Sequence, residues 1–100
     1  HFFFFFSGQH HRINFNDILY VESIKDYVNI KTENQEYIVL DTLKSLENQL
    51  PENFARVHKS FILNLEKIEK IDVKNAFLNS GKEIPIGETY KSDFLLRLKK

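Results

Sequence analysis

Short apolar runs separated by polar turns occupy most of this chain and restrict it to a fold built mainly from β-strands. The runs are 18–22, 27–31, 36–40, 54–58, 60–65, 68–73, 76–78 and 83–86. Turns are predicted between them at 23–26, 33–35, 74–75 and 79–81. Runs of about four to eight residues are strand-sized and too short for independent helices. We therefore expect short antiparallel strands stacked as small sheets.

Two segments break the strand pattern and predict short helices. The first lies within 41–51, with either Asp41 or Thr42 available as the N-cap and Pro51 as the stop. Its leucines recur at helical spacing, at positions Leu43, Leu46 and Leu50. The second is the tail, 88–100, which carries a similar apolar stripe. The predicted fold class is therefore mainly β with two short helices.

Five consecutive phenylalanines, Phe2–Phe6, form a strand-sized run near the start of the chain. The turn residues at 7–8 predict that 9–15 pairs back as a hairpin. Left as an open edge, the phenylalanine strand would be a site for pairing with another chain.

The chain, 1–100, has the size of a single domain. It lacks methionine and reads as a piece excised from a longer protein. His1 is compatible with the remnant of an affinity tag, and 1–8 with a segment derived in part from a tag or linker.

Composition excludes several classes of function. Without cysteine there is no disulfide, thiolate metal site or cysteine nucleophile, which fits a reducing compartment such as the cytoplasm. The three glycines cannot form a phosphate loop or a dinucleotide motif. His58 and Ser60 lack an orienting acid and an oxyanion hole at a recognisable spacing. We expect no catalysis, cofactor, bound metal or small-molecule substrate.

The segment 56–60 concentrates Arg, His, Lys and Ser at the end of a strand. Arginine offers a planar fork for phosphate or guanine, and lysine a point charge. The alternative is that Arg56 and His58 simply line a strand face, with Arg56 paired to a carboxylate. The net charge of zero does not decide, because Lys plus Arg and Asp plus Glu each number 14.

Two further segments could contact an anion. The turn 25–27 exposes a cation beside an aromatic ring, although it can also be an ordinary turn. The start of the last helix, 87–91, offers free backbone N–H groups, but Glu88 would repel an anion there.

Four separated segments resemble the LytTR DNA-binding domain of bacterial response regulators, in both order and spacing. They read NFNDILYVESIKDYVNIKT, TLKSLENQL, FARVHKSFILNLEKIEKID and EIPIGETYKSDFLLRL. The most specific piece is Phe54-x-Arg-Val-His-Lys-Ser-Phe-Ile-Leu-Asn64, and the resemblance extends from about residue 9 to residue 98.

The resemblance implies sequence-specific binding to duplex DNA in promoters, as the output domain of a two-component transcriptional regulator. Recognition is expected from loops at strand ends that enter successive major grooves. Sites in this family are commonly tandem direct repeats, so two copies are expected side by side on DNA. A receiver domain is expected elsewhere in the full-length protein.

The resemblance also implies which residues contact DNA. The base-reading positions map to Lys25, Asp26, Tyr27, His58, Lys59, Glu88, Thr89 and Lys91. Arg56 is expected either to contact a phosphate or to be structural. Many members carry Ser-Arg where this chain has Gly87-Glu88, a difference that removes one charge-assisted contact.

Two other classes remain open. A β-rich interaction module would pair with a partner through the Phe2–Phe6 strand, and a small-molecule sensor would need a cavity lined by phenylalanines. A DNA-binding domain should place Lys25, Lys59 and Lys91 on one face, whereas an interaction module has no such requirement.

Overall fold

The computed structural model describes residues 2–99, except for the side chains of Phe2, Phe3, Phe5 and Phe6. The elements are β1 (Phe2–Phe6), β2 (Gln9–Ile13), β3 (Ile18–Ile24), β4 (Tyr27–Thr32), β5 (Glu36–Val39), α1 (Leu43–Glu47), β6 (Phe54–His58), β7 (Phe61–Asn64), β8 (Ile68–Ile71), β9 (Asn75–Leu78), β10 (Glu83–Pro85) and α2 (Lys91–Leu98). Short 3₁₀ turns precede β3 and β8. None of the helices within 2–99 has the length and apolar character needed to cross a bilayer.

A five-stranded antiparallel sheet forms the centre of the molecule, in the order β5-β4-β3-β7-β6. In its middle strand, Val21 pairs with Ile30 of β4 on one side and with Ile62 of β7 on the other. This position explains why β3 is apolar and buried over most of its length. β8, β9 and β10 form a separate three-stranded antiparallel meander.

Each face of the central sheet packs against its own hydrophobic cluster. One cluster joins the sheet to α1 and to the β1–β2 hairpin, and the other joins it to the meander and α2. A register shift between Ile18 and Tyr20 lets Leu19 and Tyr20 face the same cluster, although successive strand residues normally alternate. The fold class predicted from sequence, mainly β with two short helices and stacked antiparallel sheets, is confirmed.

Both helices form where their apolar stripes predict them, but they are shorter. In α1 the N-cap is Thr42, whose hydroxyl accepts the Ser45 N–H at 3.1 Å, worth about 1 kcal/mol. This helix ends at Glu47, before the proline stop. α2 begins at Lys91 rather than at residue 88 and buries Phe94 completely.

Two predicted turns are shifted. Ser23 and Ile24 still pair with β4, so that only Lys25 and Asp26 form the β3–β4 turn. The β8–β9 turn was predicted at 74–75 but lies one residue earlier, since Asn75 is the first residue of β9. The cause is the carboxylate of Asp72, whose Oδ1 accepts the backbone N–H groups of residues 74 and 75 at 2.9 and 2.8 Å.

The phenylalanine run forms a hairpin, as predicted: β1 pairs with β2 from Phe2↔Ile13 to Phe6↔Gln9. Phe4 is buried in the cluster beneath the central sheet, with its ring centroid 4.9 Å from that of Tyr37. His1 lies outside the described residues, and a tag or linker origin for part of 1–8 stays a prediction.

Candidate nucleic-acid interface

The β3–β4 turn is a two-residue hairpin loop closed by the pair Ile24↔Tyr27. Lys25 adopts a φ of +56°, in the left-handed region that L residues seldom occupy. A positive φ at the first of two turn residues is typical of a type II′ hairpin, where glycine is the usual residue. Within residues 2–99 the exposed side chains of Lys25, Asp26 and Tyr27 make no hydrogen bond or ion pair. All three are therefore available to a partner.

The β6–β7 turn, Lys59–Ser60, lies beside the β3–β4 turn. The Ser23 N–H donates to the Ser60 carbonyl at 2.8 Å, and Glu22 pairs with Phe61, so both turns leave the central sheet at the same end. With β3 and β7 adjacent, the two turns are centred about 10 Å apart at their base, or two strand spacings. Lys59 is exposed, and its ammonium makes no hydrogen bond or ion pair within the described residues.

His58 is held in one orientation by its own turn. Its Nδ1 accepts the Ser60 backbone N–H at 3.0 Å, and its ring packs edge-on against Phe61 with centroids 5.7 Å apart. Since Nδ1 is an acceptor here, the neutral imidazole carries its proton on Nε2. The half-buried ring can therefore offer one N–H donor beside Lys59.

Arg56 is half-buried, and each of its three guanidinium nitrogens donates a hydrogen bond inside the protein. Nε donates to the carbonyl of His58 at 3.0 Å, Nη2 to that of Lys59 at 2.6 Å, and Nη1 to Glu47 Oε1 at 2.8 Å. These contacts favour a structural role for Arg56 over contact with a phosphate, the two roles that the sequence left open. The carboxylate partner comes from α1, which the sequence did not identify.

The segment leading into α2 joins the same end of the molecule. The Gly87 N–H donates to the Val57 carbonyl at 2.7 Å. A Cβ at Gly87 would lie 3.2 Å from Tyr90 Cδ2 and 3.5 Å from His58 Cα, so this close approach favours glycine. The next residue, Glu88, is exposed.

Of the remaining predicted positions in this segment, Thr89 is exposed and Lys91 is not free. The ammonium of Lys91 donates to the Val73 carbonyl of the β8–β9 turn at 2.9 Å. The predicted residues thus meet at one end of the molecule, where Lys25 and Lys59 are exposed and unbonded, whereas Lys91 is bonded to the meander.

The β8–β9 turn is an additional part of this surface that sequence reasoning missed. The Ile86 N–H donates to the Lys74 carbonyl at 2.8 Å, which brings the turn next to the start of α2 and exposes Lys74 there. The two backbone N–H groups bonded to Asp72 lower the pKa of its carboxyl. The spacing Asp72-x-x-Asn75 could have indicated this side-chain-stabilised turn.

Tyr20, a second group with a shifted pKa, lies away from the turns. Burial raises the pKa of the Tyr20 phenol, and the nearby carboxylates of Glu22 and Glu36 raise it further. Its ring also has the Lys82 ammonium 5.5 Å from the centroid. Tyr20 therefore stays neutral at neutral pH, as its place between the central sheet and the meander requires.

Comparison with known proteins gives a consistent picture. The sequence profile described as the LytTr DNA-binding domain matches residues 8–99. The sensory transduction protein LytT of Bacillus cereus is 36% identical over 94 residues, covering 86% of this chain and 38% of that protein. LytT of Bacillus subtilis is 36% identical over 87 residues, covering 81% and 36%. The chain therefore spans less than two-fifths of the length of these curated relatives.

A solved structure supports the fold independently. A LytTr DNA-binding domain from Bacillus cereus matches with a TM-score of 0.85, over 99% of this chain and 96% of that chain, at 22% identity. Since the profile covers nearly the whole sequence and the curated relatives exceed 30% identity over most of it, the chain belongs to the LytTR family of DNA-binding domains.

Proposed function

We propose that this chain binds duplex DNA sequence-specifically, by inserting the β3–β4 turn, the β6–β7 turn and the start of α2 into the major groove. The observation that carries the proposal is their convergence. The backbone bonds Ser23 to Ser60 and Gly87 to Val57 join the three segments at one end of the central sheet. The two hairpin turns are about 10 Å apart at their base, and a major groove is about 12 Å wide.

The chemistry of the exposed groups supports a division of roles. Lys59 and the Nε2 proton of His58 offer donors, which match the N7 and O6 acceptors of guanine. Lys25 presents an ammonium at the tip of the longer hairpin, and Tyr27 beside it presents an aromatic ring that can contact a thymine methyl group or a sugar.

The start of α2 contributes less in this proposal. Exposed Thr89 can donate or accept one hydrogen bond, but Glu88 repels phosphate. Lys91 reaches DNA only by releasing the Val73 carbonyl. The weak third contact and the balanced net charge predict modest affinity for one copy, which favours two copies side by side on a repeated site.

We further propose that the domain is the output part of a transcriptional response regulator. The support is the similarity to the LytT sensory transduction proteins, of which the chain matches less than two-fifths. A phosphorylatable receiver domain is the partner we expect within the full-length protein.

The test is selection of bound sequences from a random duplex pool at two ionic strengths, followed by titration of the selected duplex against salt. We expect one enriched motif, present as a direct repeat. Affinity should fall as salt is added, because each lysine that neutralises a phosphate contributes about −0.9 to the slope of log K against log salt. A pool without enrichment at low salt, or an affinity that is flat with salt, would contradict duplex recognition.

A protein-interaction module is the second function that an observation supports. β1 pairs with β2 on one edge, and its other edge has no strand partner within residues 2–99. On the central sheet, the edge strand β5 and the residue after it expose Ile38 and Leu40, at 49% and 73%. The selection separates the two functions, since an interaction module would enrich no motif.

A further inference from the structure

Arg56 connects the β6–β7 turn with α1 and with the start of α2. Its guanidinium bonds the carbonyls of His58 and Lys59 in the β6–β7 turn and the carboxylate of Glu47 in α1. Its Cζ also lies 5.6 Å from the centroid of the Tyr90 ring, at the start of α2. One side chain therefore touches two of the three segments that the proposed function assigns to DNA.

We propose that Arg56 is a positioning residue for DNA recognition: it fixes the β6–β7 turn and the start of α2 relative to each other and does not itself contact DNA. The inference rests on the proposed function, because it concerns how the segments assigned to DNA are held.

The turn needs such support because its strand pairing is irregular. The register between β6 and β7 shifts between Arg56 and His58, so the regular ladder is interrupted just before the turn. The guanidinium supplies donors to two successive carbonyls at this point. A planar fork can do so from one fixed side chain, whereas a lysine ammonium lacks that geometry.

Direct contact with phosphate would conflict with these bonds. The Arg56 side chain is 20% exposed, and its charge is paired with Glu47 at 2.8 Å. A phosphate would have to displace either that carboxylate or a turn carbonyl, and loss of the bond to His58 would leave a half-buried carbonyl without its partner. Lys59 is exposed, so its charge can reach DNA without such a cost.

The expected consequence is a loss of precision at the tip. Binding groups act well only when their supporting contacts hold them to within about half an ångström. Without the fork, the backbone of the turn is free to move, and Lys59 and His58 move with it. Loss of the guanidinium also removes the cation from the face of the Tyr90 ring, so the start of α2 is affected as well.

The test uses the chain with Arg56→Lys and Arg56→Gln, titrated against salt on the selected duplex and on duplexes with single-base changes. We expect both variants to bind at least about fivefold more weakly, with an unchanged salt slope and a broader base preference at the position that Lys59 reads. If Arg56 instead contacted a phosphate, Arg56→Lys would keep affinity and slope, and Arg56→Gln would lower the slope by about one unit.

Arg97→Lys is the matched control. Arg97 also bonds a backbone carbonyl, that of Phe54 at 2.8 Å, and an acidic side chain, Asp93 at 3.2 Å, but at the opposite end of β6. Its variant should leave base preference unchanged. A change in preference as large as that of Arg56→Lys would overturn the inference.

Glu47→Gln keeps the inference testable if the Arg56 variants do not fold. Removing a negative charge near DNA strengthens binding if only electrostatics matters. If Glu47 acts by holding Arg56, the same variant weakens binding, which is the result we expect. Stronger binding would overturn the inference, and failure of the unmodified chain to bind any duplex would overturn the proposed function itself.

Discussion

The two hairpin turns at the end of the central sheet that is proposed to face DNA are stabilised in different ways. The β6–β7 turn has support beyond the pairing of its own strands, because Arg56 of β6 bonds its carbonyls while bonded to Glu47 of α1, and Ser23 of β3 donates to Ser60. The β3–β4 turn depends on the regular pairing of its two strands, and it holds Lys25 at a φ of +56°. Neighbouring segments with the same proposed role can therefore differ in what fixes their geometry.

This difference predicts different effects of mutation. Where other elements hold the backbone, the side chain at the tip has a defined position and can discriminate between bases. Where only the hairpin holds it, a long flexible lysine contributes charge more than discrimination. Changes in the β6–β7 turn should alter base preference, whereas changes in the β3–β4 turn should mainly lower the total affinity.

The largest effect is expected for Lys59→Ala. Loss of a base contact from the β6–β7 turn should weaken binding by about 1–3 kcal/mol and alter the preference at one base position. The measurement is equilibrium binding to the selected duplex and its single-base variants. Lys99→Ala is the matched control, since Lys99 is exposed just after the last residue of α2, about 12 Å along the helix from its start. If neither affinity nor preference changes, Lys59 is not a reader.

Local patterning was sufficient to predict most of the strands. β6 was predicted with its exact bounds, and the phenylalanine hairpin with its turn, because alternation and turn residues act over a few positions. The predicted position of the β8–β9 turn, 74–75, was wrong because the side chain of Asp72 determines where the turn lies.

The site was less predictable from residues alone. The segment 56–60 stood out by composition, but its assignment to DNA came from the resemblance to a family. Neither the partner of Arg56 nor that of Lys91 could be found in the sequence, since Glu47 lies in a helix and Val73 in a separate meander. Such contacts depend on how elements pack. Because every residue has a backbone carbonyl, the sequence does not indicate which carbonyl will accept a hydrogen bond.

A smaller effect is expected for Lys25→Gly, which should raise the stability of the fold but lower the affinity for DNA. The left-handed conformation costs an L residue about 1–2 kcal/mol, and glycine avoids most of this cost but loses more entropy on folding. The free energy of unfolding should rise by up to about 1 kcal/mol, while the DNA affinity falls by about 1 kcal/mol, roughly fivefold. Chemical denaturation and duplex titration measure the two quantities.

Lys25→Ala separates the two causes, because alanine loses the charge but keeps the strained φ. It should weaken binding as much as the glycine variant and bring no gain in stability. An unchanged affinity in both variants would mean that the β3–β4 turn does not contact DNA, and the comparison between the turns would then lose its functional meaning.

The smallest effect concerns the β8–β9 turn, which resembles the β3–β4 turn in being stabilised locally but uses a side chain, Asp72, to do so. Its carboxyl pKa lies below the ordinary value of 3.8 in the folded state, so the stabilisation is present above that value and is lost as the pH falls through the folded pKa.

The variant Asp72→Asn tests this dependence, because it keeps an acceptor oxygen but removes the charge. In paired urea titrations the wild-type chain should be slightly more stable than the variant at neutral pH, and the difference should shrink at pH values below about 3.8. Because the carboxylate is fully exposed, the difference in stability is small. A difference that stays constant from neutral to acid pH would show that the geometry of the acceptor, and not its charge, holds this turn, which would make it a closer match to the hairpin around Lys25.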